Sequence, residues 1–172
     1  MPRENIILTG FMATGKSTVG KLLAGRLGYD FVDTDELIME RTGQTVAEIF
    51  REKGEAAFRR MEADLARELG EKEGLVVSTG GRLMLDPANA AALGQRGRVF
   101  CLTATPEDIL DRVARDKHVK RPLLDGPDPL ARIVALLKQR EEGYGRFPQL
   151  DTSATPPDEV ARKLIGIFQG ET

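Results

Sequence analysis

The sequence feature that most constrains this chain is a glycine-rich segment near its start, Gly10-Phe11-Met12-Ala13-Thr14-Gly15-Lys16-Ser17-Thr18. The apolar run Ile6 to Leu8 precedes it, and apolar residues follow it at helical spacing. Such a segment between a strand and a helix lets successive backbone N–H groups converge on phosphate oxygens, and the helix N-terminus adds its positive dipole. The sequence therefore predicts a phosphate-binding loop.

The side chains of this loop suit a nucleotide bound with Mg²⁺. We expect Lys16 to bridge the outer phosphates, and the Ser17 hydroxyl to bind Mg²⁺, which neutralises charge as the terminal phosphoryl group leaves. No Asn-Lys-x-Asp segment of the kind that reads guanine is present, so ATP is favoured over GTP. The residues predicted to contact ATP are Gly10, Ala13, Thr14, Gly15, Lys16, Ser17 and Thr18.

The rest of the chain alternates short apolar runs with stretches of helical period, which is typical of an α/β fold with helices on both faces of a parallel sheet. With 172 residues, of which 41% are hydrophobic, the chain 1–172 has the size of one domain. Helix starts are predicted at Thr45, where Glu48 completes a capping box, and at Asp86 and Thr105, which each precede a proline. Strands are predicted at Asn5 to Leu8, Asp30 to Asp33, Leu75 to Ser78, Arg98 to Thr103 and Gln149 to Asp151.

Two aspartates follow the second predicted strand. If Asp33 and Asp35 both lie on the strand, alternation places their carboxylates on one side at the carboxyl edge of the sheet, where ligands bind. One would then hold the hydrated metal, and the other would accept a hydrogen bond from an attacking hydroxyl. The alternative is that both aspartates cap the following helix, predicted from Glu36 to Arg41.

Arginines and glycines further along suit an anionic acceptor. Arg59 and Glu62 share a helix face, so Glu62 can hold the Arg59 fork toward a ligand carboxylate, although the same spacing also suits a surface ion pair. Gly80 and Gly81 at the end of strand three allow a ligand to approach the backbone closely, or form a plain turn. Arg121 lies in an irregular segment, 117–128, with the composition of a flap, where an arginine suits transition-state charge.

Taken together, these residues resemble the shikimate kinase family over nearly the whole chain. The phosphate loop, Asp33-x-Asp35, the Gly54-Glu55-x-x-Phe58-Arg59 segment and Arg121-Pro122-Leu123-Leu124 all match in order. The resemblance implies a three-layer α/β/α P-loop kinase related to nucleoside monophosphate kinases. It also implies a five-stranded parallel sheet in the order 2-3-1-4-5, a substrate-binding helix pair at about 34–70, and a lid at about 114–128.

The resemblance further implies that ATP phosphorylates the 3-hydroxyl of shikimate in aromatic amino acid biosynthesis, and that the enzyme is a monomer. Asp33 and Ser17 would form the Mg²⁺ site, and Asp35, Lys16 and Arg121 would be catalytic. Arg121 would also bind ATP, and Arg112 is a candidate for stacking on adenine. The acceptor would contact Asp35, Arg59, Gly80, Gly81, Arg82 and Arg140.

Two departures from the family pattern lie on the acceptor side. Arg82 replaces a third glycine, and Arg140-Glu141-Glu142-Gly143-Tyr144 lacks the proline and leucine of the family segment. Arg82 either points outward, adds a contact to the acceptor carboxylate, or fills the pocket and indicates another carboxylated polyol. A third hypothesis is an ATP-binding module without catalysis, which the presence of Asp35 and Arg121 disfavours.

Composition disfavours several other functions. A net charge of −2 gives no footprint for nucleic-acid binding, and no apolar run reaches the roughly 20 residues of a membrane span. The first five residues lead into a strand rather than a signal peptide, so we expect a cytoplasmic protein. Cys101 and His118, the only residues of their kinds, are predicted to be a buried thiol and an exposed side chain.

Overall fold

The fold was analysed from a computed structural model that describes residues 2–116 and 124–170. Its sheet has five parallel strands in the predicted order, β2-β3-β1-β4-β5. The predicted strand bounds differ from those observed by one residue, at the end of β1 and at the start of β4. The strands are β1 Asn5–Thr9, β2 Asp30–Asp33, β3 Leu75–Ser78, β4 Gly97–Thr103 and β5 Gln149–Asp151.

Within the described residues the strands are joined by eight α-helices and one short 3₁₀ helix, Leu83–Leu85. The predicted capping box is confirmed, because Thr45 and Glu48 each accept a hydrogen bond from the other's backbone N–H. Asp86 and Thr105 also cap helices that begin with proline. The helices are α1 Lys16–Leu27, α2 Thr34–Thr42, α3 Val46–Lys53, α4 Glu55–Gly70, α5 Pro87–Gly94, α6 Pro106–Arg115, α7 Pro129–Tyr144 and α8 Pro157–Phe168.

Helices cover both faces of the sheet, and the side chains of the central strand β1 alternate between the two faces. Ile7 packs with residues of α2, α3, α4 and α5, whereas Ile6 and Leu8 pack with residues of α1 and α8. All three are fully buried. The alternation confirms the three-layer arrangement that a strand buried on both faces requires. No helix within the described ranges has both the length and the apolar character of a membrane span.

The segment 34–70 differs from the predicted helix pair, since it contains the three helices α2, α3 and α4. Gly43 and Gly54 separate them with positive φ angles of 70° and 86°, values that side-chain-bearing residues rarely adopt. Of the predicted lid, 114–128, the stretch 117–123 lies outside the described residues. Leu124, the first described residue after it, is buried among residues of α6 and α7.

Two glycines in helices give a matched test of this packing. A Cβ on Gly70 would lie 2.2 Å from the Ala92 carbonyl oxygen of α5, whereas no atom of the described residues lies within 4 Å of a Cβ on Gly25 in α1. We expect Gly70→Ala to lower the free energy of unfolding by about 1–3 kcal/mol, because backbone must move. Gly25→Ala should raise it by up to about 1 kcal/mol, because alanine favours the helix. Urea denaturation measures both, and equal shifts would contradict the close contact of α4 with α5.

Candidate active site

The loop between β1 and α1 turns sharply at two glycines. Gly10 has a φ of 135°, and a Cβ there would lie 2.3 Å from the Leu102 carbonyl oxygen of β4. Gly15 has a φ of 99° and precedes α1, whose start has no side-chain cap. Backbone N–H groups at an uncapped helix start are available to an anion, and the helix dipole favours one. The loop therefore has the geometry of a phosphate cradle.

The side chains of Thr14 and Lys16 donate hydrogen bonds to carbonyl oxygens of the same loop. The Lys16 ammonium donates to the carbonyl oxygens of Gly10 and Phe11, at 2.5 Å and 3.0 Å. The buried Thr14 hydroxyl donates to the Phe11 carbonyl oxygen at 2.8 Å. Ala13 adopts a positive φ of 59°, and Thr18 is exposed in the first turn of α1. The predicted nucleotide-contacting residues therefore lie in the loop and in the first turn of α1.

Arg112 of α6 binds the phosphate loop at Ala13. Its guanidinium donates to the Ala13 carbonyl oxygen at 3.0 Å and to the Thr152 carbonyl oxygen at 2.7 Å. The Thr152 hydroxyl donates to the Thr14 carbonyl oxygen at 2.8 Å. Thr152 was missed by the sequence analysis, where its only signal was its place directly after β5.

Three oxygen-bearing side chains meet beside the loop. The Ser17 hydroxyl donates to Asp33 Oδ2 at 2.8 Å and lies 3.3 Å from the Ser78 hydroxyl. Asp33 and Ser78 are neighbours in the β2–β3 register, so the sheet places them side by side. Hydroxyl and carboxylate oxygens are ligands that Mg²⁺ accepts, with its remaining positions taken by phosphate and water. Ser78 was also missed, although it ends an apolar strand at the ligand-binding edge.

The residues present fit that kind of metal site better than a site built from protein ligands alone. In the two described ranges, no group of three or more histidine, cysteine, aspartate or glutamate side chains could hold a metal ion. An ion at Ser17 and Asp33 would therefore depend on nucleotide oxygens, as Mg²⁺ in phosphate-transfer sites commonly does.

The prediction that strand alternation places Asp33 and Asp35 on one side is wrong. Asp33 ends β2 and Asp35 lies in the first turn of α2, because Asp33 Oδ1 accepts from the Glu36 N–H and starts the helix at Thr34. Capping and metal binding are thus compatible for Asp33, since its other oxygen faces Ser17. Asp35 reaches the sheet edge from the helix instead.

Gly80, in the turn after β3, lies against the Asp35 carboxylate. The Gly80 N–H donates to the buried Thr34 hydroxyl at 3.0 Å, which fixes the turn after β3 against α2. A Cβ on Gly80 would lie 2.8 Å from Asp35 Oδ1 and 3.1 Å from Glu62 Oε2. Glu62 Oε2 is buried and has no hydrogen-bond partner among the residues that the structure describes. Two carboxylates therefore face the backbone at Gly80.

Glu62 holds Arg59 as predicted. Arg59 Nη1 donates to Glu62 Oε1 at 2.6 Å, and the Glu62 side chain is only 2% exposed. Burial raises the pKa of Glu62 above its usual range, although Arg59 opposes the shift. Burial alone would lower the pKa of Arg59, but the hydrogen bond and charge of Glu62, and then of Glu55, raise it. The pair is therefore anchored in the core rather than lying on the surface.

Arg140 of α7 is a second buried arginine near the same turn. Its guanidinium lies 5.3 Å from the centre of the Phe11 ring and 3.4 Å from the Tyr144 hydroxyl. The Tyr144 hydroxyl donates to the Gly81 carbonyl oxygen, and burial raises the pKa of Tyr144 so that the proton stays in place. A Cβ on Gly81 would lie 3.2 Å from Arg140 Nη1. Arg140 therefore borders the turn opposite Asp35.

Arg82 follows this turn at the edge of a pocket of about 380 Å³. Its side chain is half exposed and donates to Glu55 Oε1 at 2.9 Å. Its guanidinium is engaged by Glu55 of α4, and both side chains line the pocket, so the three alternative roles of Arg82 stay predictions. The pocket is lined by Glu55, Arg59, Glu62, Arg82, Leu85, Asp86, Pro87 and Asn89.

Arg121 and His118 lie outside the described residues, so their predicted roles stay predictions. Cys101 is fully buried in β4, as predicted, and burial raises its pKa to about 11. A thiol in that state is a packing residue rather than a nucleophile.

The phosphate cradle and the arginine-bordered turn lie together at one edge of one parallel sheet, since a Cβ on Gly81 would lie 3.9 Å from the Gly10 carbonyl oxygen. The cradle suits a phosphate donor, and the turn beside Arg59 and Arg140 suits a small anionic acceptor. The fold and the site therefore define a small-molecule kinase of the P-loop class.

Comparison with known proteins narrows this class. The family model for shikimate kinase matches residues 12–168. The shikimate kinase of Pelotomaculum thermopropionicum is 46% identical over 163 residues, or 94% of each chain. That of Geobacter sulfurreducens is 44% identical over 162 residues, which are 94% of this chain and 88% of the relative. The chain belongs to the shikimate kinase family.

A solved structure agrees with that assignment. The shikimate kinase from Acinetobacter baumannii, in complex with shikimate, superposes with a TM-score of 0.89 at 36% identity. The match covers 98% of this chain and 94% of the other. The chain is accordingly an ATP-dependent kinase.

Gly80 provides a test of the site geometry. The two atoms nearest a Cβ at this position end flexible side chains, so Gly80→Ala should leave the melting temperature nearly unchanged while displacing the Asp35 carboxylate. We expect turnover to fall about ten- to a hundredfold, because small misplacements at a reacting centre are costly. Nucleotide affinity should stay within about twofold.

The matched control is Gly94→Ala, where the described part of the chain has no atom within 4 Å of the new Cβ and turnover should not change. Turnover and nucleotide affinity are measured by steady-state kinetics and by calorimetry with an ATP analogue. Full turnover in Gly80→Ala would show that Asp35 does not need the space beside Gly80.

Proposed function

We propose that this kinase transfers the terminal phosphoryl group of ATP to the 3-hydroxyl of shikimate, giving shikimate 3-phosphate and ADP. The observation that carries the proposal is what meets at the turn after β3: a Cβ on Gly80 would lie 2.8 Å from Asp35 Oδ1, and a Cβ on Gly81 would lie 3.2 Å from Arg140 Nη1 and 3.9 Å from the Gly10 carbonyl oxygen of the phosphate loop. The family membership and the shikimate-bound relative support the choice of acceptor.

On the nucleotide side, the backbone N–H groups of the loop and Lys16 hold the phosphates. Ser17 and Asp33 would hold Mg²⁺, which supplies charge neutralisation to the phosphate oxygens when it is bound. Arg112 supports the loop near Ala13 and is our candidate for stacking on adenine. Arg121 is proposed to stabilise transition-state charge, on the basis of the sequence alone.

On the acceptor side, two arginine forks match a carboxylate ligand. Arg59, held by Glu62, and Arg140, above Phe11, would bind the carboxylate of shikimate. Backbone groups of Gly80 and Gly81 would contact its ring. All these groups come from one chain, so we propose that a monomer is sufficient for activity.

Asp35 is proposed to act as the general base. Its carboxylate accepts the proton of the 3-hydroxyl while the hydroxyl oxygen bonds to the terminal phosphorus. The bond from that phosphorus to the bridging oxygen breaks, the electron pair leaves with ADP, and the proton passes to solvent. Lys16 lies next to Gly10 and Phe11, where it can balance charge on the departing oxygen.

The two departures from the family pattern do not favour a different acceptor. Arg82 lines the pocket beside Glu55, to which its guanidinium is bound. Gly143 faces Leu85, since a Cβ there would lie 2.4 Å from Leu85 Cδ2. A larger residue at position 143 would therefore clash with the 3₁₀ helix. Neither change removes a proposed contact to shikimate.

The proposed acceptor is tested with a coupled ADP-release assay on a panel of hydroxy acids, including gluconate and quinate. We expect shikimate to be the best substrate, and Asp35→Asn to reduce its turnover about a hundredfold or more while ATP binding stays within about twofold. Turnover of another acid, with shikimate no better than buffer, would contradict the proposal. Full turnover in Asp35→Asn would refute the general base alone.

The metal site is tested with Asp33→Asn. Asparagine caps a helix as well as aspartate does, so the stability that the Asp33 cap of α2 contributes should be retained. Loss of the charge beside Ser17 should raise the Mg²⁺ concentration for half-maximal activity about tenfold or more. Titration of activity with Mg²⁺ measures this, with thermal melting as the control. An unchanged Mg²⁺ curve would place the metal elsewhere.

A further inference from the structure

Arg82 stands where the family pattern has a glycine, and its backbone does not need one. Its φ of −109° and ψ of −8° are ordinary for a residue with a side chain. The half-exposed side chain turns toward α4, where its guanidinium binds Glu55 Oε1. The position is therefore free to carry an added charge beside the acceptor site.

Glu55 Oε1 is shared by two arginines. Arg59 Nη2 and Nε approach the same oxygen at 3.2 Å and 3.4 Å, while Arg82 Nη1 lies 2.9 Å from it. Arg59 also binds the buried Glu62 at 2.6 Å. The arginine proposed to hold the acceptor carboxylate thus has two acidic partners, and Arg82 binds one of them.

The balance of charge around Arg59 depends on Arg82. With all four groups ionised, Arg59, Arg82, Glu55 and Glu62 sum to zero, and without Arg82 they sum to −1. A negative cluster would repel an incoming carboxylate. Because Arg82 compensates Glu55, the unshared face of Arg59 keeps its attraction for an anion.

We propose that Arg82 is a positioning residue that acts through Glu55 to keep Arg59 available to the acceptor carboxylate. The inference rests on the proposed function, because it assumes a carboxylated acceptor. In this proposal Arg82 acts electrostatically, through Glu55, and not by binding the acceptor. The residue therefore sets the affinity for anionic acceptors and leaves the chemical step alone.

Kinetics of Arg82→Met test this role, since methionine keeps the length of the side chain and removes its charge. We expect the KM for shikimate to rise about three- to tenfold, with kcat and the KM for ATP within about twofold, as for a partly exposed charge interaction. Arg82→Lys should restore most of the affinity. The difference between wild type and Arg82→Met should shrink toward zero in about 0.5 M salt, because salt screens exposed charges.

The matched control is Arg67→Met, which removes an arginine of α4 that is 69% exposed and paired with Asp64. It should leave all kinetic constants unchanged. Thermal melting of every variant separates a loss of fold from a loss of charge.

A double-mutant cycle identifies the path of the effect. In a Glu55→Gln background, whatever shift that change causes by itself, Arg82→Met should no longer raise the KM for shikimate. A rise that persists in that background means that Arg82 acts on the acceptor directly, and it overturns the inference. An unchanged KM in the single variant overturns it as well. If the wild-type protein shows no shikimate-dependent turnover, the proposed function fails, and this inference fails with it.

Discussion

The parallel register of β2, β3 and β1 is the constraint on which the rest of the site depends. It aligns Asp33 with Ser78 and Ser78 with Leu8, so three strands end together at one edge. The loop that follows β1 then brings Ser17 within 2.8 Å of Asp33 Oδ2. A slip of one residue would turn these side chains to the opposite face, because strand side chains alternate. The proposed metal site, the phosphate loop and the turn at Gly80 therefore all depend on the alignment of these strands.

Most of the fold could be predicted because its signals are local. The buried strands are short apolar runs, and helix starts such as Thr45 and Asp86 carry capping residues that act over two or three positions. The error at Asp35 came from a competition that sequence does not resolve. An aspartate at this position can continue a strand or cap a helix. Asp33 does both, because it is the last residue of β2 and the N-cap of α2. The segment 34–70 forms three helices because two glycines with positive φ, Gly43 and Gly54, end α2 and α3.

Some residues of the candidate site are recognisable from nearby sequence, whereas others are identified only by contacts between distant positions. The phosphate loop is one contiguous motif, and the Arg59–Glu62 pair is three residues apart, so both could be identified from sequence. Thr152 reaches Thr14 across 138 positions, and Ser78 reaches Ser17 across 61, so neither contact leaves a mark in the spacing. Arg82 could be singled out as a departure from a family pattern. Its partner could not, because Glu55 lies 27 positions away on another element.

A magnesium nucleotide and a carboxylated acceptor are proposed to meet on either side of Asp35. A crystal structure with Mg²⁺, a non-hydrolysable ATP analogue and shikimate measures this directly. The geometry predicts a metal ion about 2.1 Å from the Ser17 hydroxyl oxygen. It also predicts the shikimate carboxylate on Arg59 and Arg140, and the 3-hydroxyl within hydrogen-bonding distance of Asp35. A metal ion away from Ser17 and Asp33, or a 3-hydroxyl pointing away from Asp35, would contradict it.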